Sequence, residues 1–233
     1  MRYDALLCDA DNTIFDFTKA EENAFSAACA HMGMEATKAL LARYSEINAA
    51  LWKQLEQGTI TQAVLRVQRF AQFLSETGHP GSAQDMADCY ADALSRQDVL
   101  LPGALDAMRR WSARVPVVIV TNGISRIQHG RMDRSEIRHL ICGMIVSEEV
   151  GVAKPDPRMI ELGMQKAGVA DRRRVLMLGD SLSSDMAAAA NAQVDGCWYN
   201  PNGAANDRGL PIAYEVRSLD EVDAILQGKE GQA

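Results

Sequence analysis

Three apolar runs in this chain each end in groups that can do chemistry. Leu6-Leu7-Cys8 leads directly into Asp9-Ala10-Asp11-Asn12-Thr13. Val115-Pro116-Val117-Val118-Ile119-Val120 leads into Thr121-Asn122-Gly123, and Arg174-Val175-Leu176-Met177-Leu178 into Gly179-Asp180-Ser181. A lysine, Lys154, stands in a loop stiffened by Pro155 and Pro157. Continuous β-branched apolar runs are what strands buried on both faces look like. If these runs are parallel strands, Asp9, Asp11, Thr121, Asn122 and Asp180 all emerge at carboxyl ends, where open parallel sheets bind ligands. Asp9 and Asp11, with a single residue between them, repel each other and need a cation, a shared proton or both. Magnesium is the natural cation, because it takes hard oxygen ligands and keeps several waters. Taken singly, each stretch has a plain reading as a turn, a loop start or a helix cap. Their joint occurrence, in this order and each after an apolar run, points to one site.

The elements needed to position these groups are legible. Lys19 to His31 is Ala-rich and helical, with Gly33 as its terminator. From Thr37 to Gln57, Leu40, Leu41, Tyr44, Ile47, Leu51, Trp52 and Leu55 recur at three and four residues, which predicts a long amphipathic helix. Gly58 breaks it, and Thr61 caps a further helix carrying Val64, Val67, Phe70, Phe73 and Leu74. Another helix is expected from Ser82 to Ser95. Residues 16-98 therefore read as an all-helical module inserted after the first strand, and its aromatic stripe reads as core. Beyond Leu101-Pro102-Gly103, helix and strand alternate. Helices are expected at Ala104–Arg114, Met159–Ala167, Ser184–Ala192 and Leu219–Leu226, and further strands at Met144–Val146 and Gly196–Tyr199. Asn200 to Gly209 reads as a polar turn, and a disordered-looking tail ends the chain. The fold class is α/β, a doubly wound Rossmann-like parallel sheet with an inserted all-helical domain. The boundaries are 1-15 and 99-233 for the α/β part and 16-98 for the helical part.

Composition narrows the partners. With 233 residues, 47% of them hydrophobic and 24% charged, the chain is long enough for a sizeable core and ordinary for a globular protein. A net charge of -7 argues against a nucleic-acid polymer or an anionic membrane surface as main partner. Cys8, Cys29, Cys89, Cys142 and Cys197 are scattered without a C-x-x-C pair, which reads as reduced, mostly buried thiols and a cytoplasmic location. The N-terminus shows no leader pattern, and no run of eighteen apolar residues exists to span a bilayer. None of the four histidines falls in a motif, which argues against phosphohistidine chemistry or a zinc site.

The order and spacing of the four motifs resemble the haloacid dehalogenase-like (HAD) hydrolase superfamily over nearly the whole chain. Asp9 to Thr13 is similar to its first motif and Thr121-Asn122-Gly123 to its second. Lys154-Pro155-Asp156-Pro157 is similar to the third, and Gly179-Asp180 through Asp185 to the fourth. The helical insertion resembles the family's cap domain. More narrowly, Leu51-Trp52, Gln57-Gly58-Thr59-Ile60-Thr61, Ser147 to Lys154 and Cys197-Trp198 resemble its pyrimidine 5'-nucleotidase branch.

This resemblance implies a phosphatase acting on a small-molecule phosphate ester. Asp9 would be the nucleophile that forms an aspartyl-phosphate. Asp11 would protonate the leaving alcohol and then activate water. Its presence favours ester hydrolysis over dehalogenation, since relatives that displace halide lack an acid there. Mg²⁺, with Mn²⁺ as a substitute, would be held by Asp9, the backbone carbonyl of Asp11, and Asp180, with Asp185 and Thr13 in support. Thr121, the Asn122 backbone N–H and Lys154 would bind phosphate. The cap loop Gln57, Gly58 and Thr59 would set specificity, with pyrimidine nucleoside 5'-monophosphates as substrates. The alternatives are a phosphatase or mutase for phosphoglycolate or a phosphosugar, and a phospho-accepting receiver-type signalling module. The helical insertion and the second acid disfavour the receiver.

Overall fold

The structure, a computed structural model, describes residues 1–228. It forms two compact units: Met1–Phe17, Val99–Ser125 and the stretch from Met132 onward make one, and Thr18–Asp98 with Arg126–Arg131 make the other.

In the helical unit α1 (Phe17–His31), α2 (Lys38–Glu56), α3 (Gln62–Thr77) and α4 (Ala83–Leu94) follow one another. Hydroxyl caps start three of them: Thr37, Thr61 and Ser82 accept the backbone N–H of Leu40, Val64 and Asp85. Each satisfies a donor that the first turn leaves without an intrahelical partner. Gly78 ends α3 at φ 66°, a left-handed conformation that costs glycine little. The expected aromatic stripe is core: Tyr44, Phe70 and Phe73 are fully buried and are joined by Phe25 and Tyr90, whereas Val64 faces outward. Phe25 stacks on Tyr44 at 4.9 Å and meets Phe73 edge-on at 5.3 Å. A buried polar network runs through it. Arg69 donates to Asn48, Asn48 donates to Glu21, and the Arg69 guanidinium lies 4.7 Å from the Tyr90 ring centre.

The other unit carries the α/β layers. Its strands are β1 (Ala5–Cys8), β2 (Val117–Thr121), β3 (Gly143–Val146), β4 (Val175–Gly179), β5 (Asp195–Tyr199) and β6 (Tyr214–Val216). They form one six-stranded sheet in the order β3-β2-β1-β4-β5-β6, parallel throughout. Its helices are α5 (Ala104–Ser112), α6 (Ser125–Arg134, whose middle clusters with the helical unit), α7 (Ser147–Val150), α8 (Pro157–Ala167), α9 (Ala187–Ala192) and α10 (Glu221–Gln227). Side chains alternate across a strand, and the two faces of the sheet divide accordingly. Leu6, Cys8, Ile119 and Leu176 join Met108 and Trp111 of α5 and Val222 and Leu226 of α10. Ala5, Leu7, Val118, Val120 and Met177 join Met159 and Ile160 of α8 and Ala188 and Ala192 of α9.

Some expectations shift. β2 begins at Val117 because Pro116 has no N–H for a ladder, although its carbonyl accepts from Leu6 N–H. The strand extends instead through Thr121. Ser184–Ala192 is a π-helical turn, Leu182–Met186, running into α9. α6, the 3₁₀ turn Glu136–Leu140 and three-residue β6 went unpredicted, since polar or very short segments carry little periodicity. The expectation for the tail lies outside the described residues. Among those described, no helix is long and apolar enough to cross a membrane, and all five cysteines are free.

Phe73→Ala, which opens a cavity beside the Phe25 and Tyr44 rings, is expected to lower stability by about 3–5 kcal/mol in urea unfolding. A loss below about 1 kcal/mol would contradict the aromatic core.

Candidate active site

Strand order reverses between β1 and β4, which lie side by side at the sheet centre. Such a switch point opens a crevice at the carboxyl ends of the strands. Asp9 directly follows β1 and Asp180 directly follows β4. The turn after β1 is tight: Ile14 and Phe15 N–H both donate to the Ala10 carbonyl, and Asn12 N–H donates to the Phe15 carbonyl. Asn12 sits at φ 58°, a left-handed conformation that Asn tolerates better than most side chains. The turn leaves Asp9 buried and Asp11 partly exposed, while Thr13 is fully buried with a hydroxyl that makes no hydrogen bond among the described residues.

Lys154 joins these elements. It is buried, and all three ammonium protons are used: Nζ donates to Asp9 Oδ1 at 2.5 Å, to Asp185 Oδ1 at 2.6 Å and to the Val120 carbonyl at 2.6 Å. Burial alone would lower its pKa, but Asp185 and Asp9 carry it upward, so Lys154 is firmly cationic. Asp185, in the π-helical turn, also accepts from Ser181 N–H at 3.0 Å. Gly179 makes room for it: a Cβ at that position would lie 2.3 Å from the Asp185 carboxyl. Thr121 is buried and its hydroxyl accepts from Gly123 N–H, tightening the turn after β2. Trp198 of β5 donates its indole N–H to the Asp180 carbonyl at 2.8 Å, which holds the β4 end.

Asp9, Asp180 and Asp185 each present a carboxylate oxygen within 4.8 Å of the others. Burial holds Asp9 well above the usual carboxylate range, with Lys154 opposing and Asp185, Asp180 and Asp11 adding to the rise. Burial, and then Asp185, push Asp180 up to about 7. Three crowded carboxylates facing one ammonium carry surplus negative charge. Hard oxygen donors in that state fit a divalent cation such as magnesium.

The structure thus brings together Asp9, Lys154, Asp180 and Asp185 from three separate segments, with Thr121 and Asn122 at the adjacent strand end. Two features were not foreseen. One is the direct contact of Asp185 with Lys154, foreshadowed only by its five-residue spacing from Asp180. The other is the Asn122 side chain, whose hydrogen bonds to the Lys154 backbone carried no signal in sequence spacing. Gln57, Gly58 and Thr59 are exposed in the helical unit, where Gly58 adopts φ 69° and the Thr59 hydroxyl donates to the Gln54 carbonyl.

Comparison with known proteins places this geometry among relatives. Residues 3–193 match the family of haloacid dehalogenase-like hydrolases. The chain is 30% identical to the pyrimidine 5'-nucleotidase YjjG of Escherichia coli K12, covering 97% of this chain and 99% of that protein. It is 34% identical to the pyrimidine 5'-nucleotidase PynA of Streptococcus pneumoniae R6, covering 95% and 94%. The crystal structure of the HAD-hydrolase YfnB of Bacillus subtilis bound to magnesium superposes with a TM-score of 0.91, at 30% identity over 97% of this chain and 99% of that one.

A stability profile checks the crowded charge. Asp180 has a folded pKa raised to about 7, so the folded form holds a proton that the unfolded chain has already released. Stability of the metal-free protein should therefore fall as pH rises from about 4 to about 7. Asp180→Asn should flatten that slope in a pH series of thermal melts. An unchanged slope would place the charge strain elsewhere.

Proposed function

This chain belongs to the haloacid dehalogenase-like hydrolases, and we propose that within the family it is a phosphatase for pyrimidine nucleoside 5'-monophosphates. The observation that carries the reading is Asp9, fixed at the switch point against Lys154 and beside Asp180 and Asp185. The identity to two pyrimidine 5'-nucleotidases over nearly the whole of both chains supports the substrate class.

In this reading Asp9 attacks phosphorus and the ester oxygen leaves, giving an aspartyl-phosphate. Asp11, two residues on and partly exposed, gives its proton to the departing alcohol and then takes one from the attacking water. Lys154, the Thr121 hydroxyl and the Asn122 backbone N–H offset the charge on the transferring phosphoryl group, with the Gly123 N–H holding that hydroxyl in place. Stabilisation of this kind, aimed at developing charge, is the main catalytic resource in phosphoryl transfer. Asp9 and Asp180, with the Asp11 carbonyl, would hold Mg²⁺, with Mn²⁺ as a substitute, and Asp185 lies close enough to lend support. When bound, the ion supplies further positive charge for the phosphoryl oxygens. The magnesium-bound relative is consistent with that choice.

The catalytic core is assigned to residues 1-15 and 99-233, and residues 16-98 to a cap that selects the leaving group. Discrimination is assigned to the cap loop at Gln57, Gly58 and Thr59, where exposed polar groups and a left-handed glycine offer hydrogen bonds to a base edge. A pocket built to hydrogen-bond such an edge rejects ligands lacking it by about 10⁴-fold, whereas one methyl changes preference by only about 10- to 200-fold. Purine nucleotides should be rejected sharply and the pyrimidine 5-position tolerated.

The test is kcat/KM for uridylate, thymidylate, inosinate, phosphoglycolate and a hexose phosphate, with Mg²⁺ and after chelation. Uridylate and thymidylate should lead, within roughly 10- to 200-fold of each other, and chelation should abolish turnover. A clear win for phosphoglycolate or the sugar overturns the substrate class, and full activity after exhaustive metal removal overturns the mechanism. Asp9→Asn should abolish turnover on every substrate. Asp11→Asn should hurt nitrophenyl phosphate less than alkyl esters, because a nitrophenolate leaves without a proton. Equal losses on both would refute the assigned division of labour.

A further inference from the structure

We propose that Asn122 is a positioning residue for Lys154, acting through its side-chain amide, and this rests on the reading of Lys154 as the phosphoryl-binding cation. The Asn122 carboxamide grips both main-chain polar groups of Lys154: Nδ2 donates to the Lys154 carbonyl at 2.8 Å, and Oδ1 accepts the Lys154 N–H at 2.7 Å. One side chain thereby reproduces, across 32 residues of sequence, the paired N–H and C=O contacts of a β-ladder. Only an amide of this length serves. Aspartate has no donor, and a serine hydroxyl does not span both groups.

The clamp matters because of what lysine is. Its ammonium rides on a flexible four-carbon stem and acts as a point charge, so the stem's anchorage decides where the charge sits. Pro155 and Pro157 have no N–H with which to tie the loop to the sheet. The end of β2 takes over that task at two points. The Val120 carbonyl holds the ammonium at 2.6 Å, and Asn122, two residues on, holds the main chain. Head and base of the same side chain are thus fixed by one short piece of chain, which sets the ammonium 2.5 Å from Asp9 Oδ1. The Asn122 backbone N–H, assigned above to phosphate, is a separate group from the side chain that makes the clamp.

Asn122→Ala removes the clamp and keeps the backbone N–H. Exchange of the Lys154 amide hydrogen, followed by NMR, should accelerate by about 10²-fold while amides in the centre of β1 and β4 stay protected. Turnover of nitrophenyl phosphate should fall by about 10²-fold, mainly in kcat, as expected for a misplaced charge. Asn122→Asp keeps the acceptor alone and should leave the Lys154 amide partly protected. In a double-mutant cycle, Asn122→Ala/Lys154→Met should be no slower than Lys154→Met alone, because the clamp has nothing left to position. An unchanged Lys154 amide in Asn122→Ala overturns the proposal, and so do losses that multiply in the cycle. Should Lys154→Met fail to fold, the exchange measurement decides by itself. If the wild-type protein turned over no phosphate ester, the phosphatase reading would fall while the exchange measurement still judged the clamp.

Discussion

A buried ammonium between two buried carboxylates is the constraint from which the rest of the α/β unit follows. Lys154, Asp9 and Asp185 are all removed from water, and none could be so without the others. Removing one partner of such a set leaves an uncompensated buried charge, at a cost of about 3–5 kcal/mol. The fold therefore has to deliver three distant segments to one point with hydrogen-bond accuracy. The central strands β1, β2 and β4 do so by lying in parallel register, with Leu7 opposite Val118 on one side and Met177 on the other. Their carboxyl ends then coincide in space.

The charge count is deliberately incomplete. One lysine stands among three carboxylates in mutual reach, and burial, with the neighbouring carboxylates adding to it, holds Asp9 and Asp180 above the ordinary carboxylate range. A deficit of that kind costs folding stability and is characteristic of sites built to receive charge from outside. In the proposed function a divalent cation and a phosphate ester bring opposite charges to the same crevice. The first would relieve the carboxylates, and the second would meet an ammonium already held in place.

Much of this could be read from the residues. Asp9, Thr121 and Asp180 were legible because each ends an apolar run, and burial on both faces of a sheet leaves that signature. Thr61 and Gly58 were legible because caps and breaks are local chemistry. What escaped was non-local or weakly patterned. The amide grip of Asn122 on Lys154 joins positions 32 residues apart and leaves no mark on either neighbourhood. The carboxyl of Asp185 reaches Lys154 because Gly179 leaves room for it, a relation of packing that spacing does not encode. α6, with Ser125, Arg126, Gln128 and His129 in its first turns, offers no apolar stripe, and β6 is too short for alternation to register.

The central claim is that Asp9 takes the phosphoryl group before water does. The stereochemistry at phosphorus tests it most directly, using a phosphorothioate ester that carries two different oxygen isotopes on phosphorus, hydrolysed in water of the third isotope. Attack by Asp9 followed by attack of water is two in-line displacements, and the account predicts chiral inorganic thiophosphate formed with net retention. Net inversion would mean a single displacement by water, and would contradict the assignment of Asp9 as nucleophile.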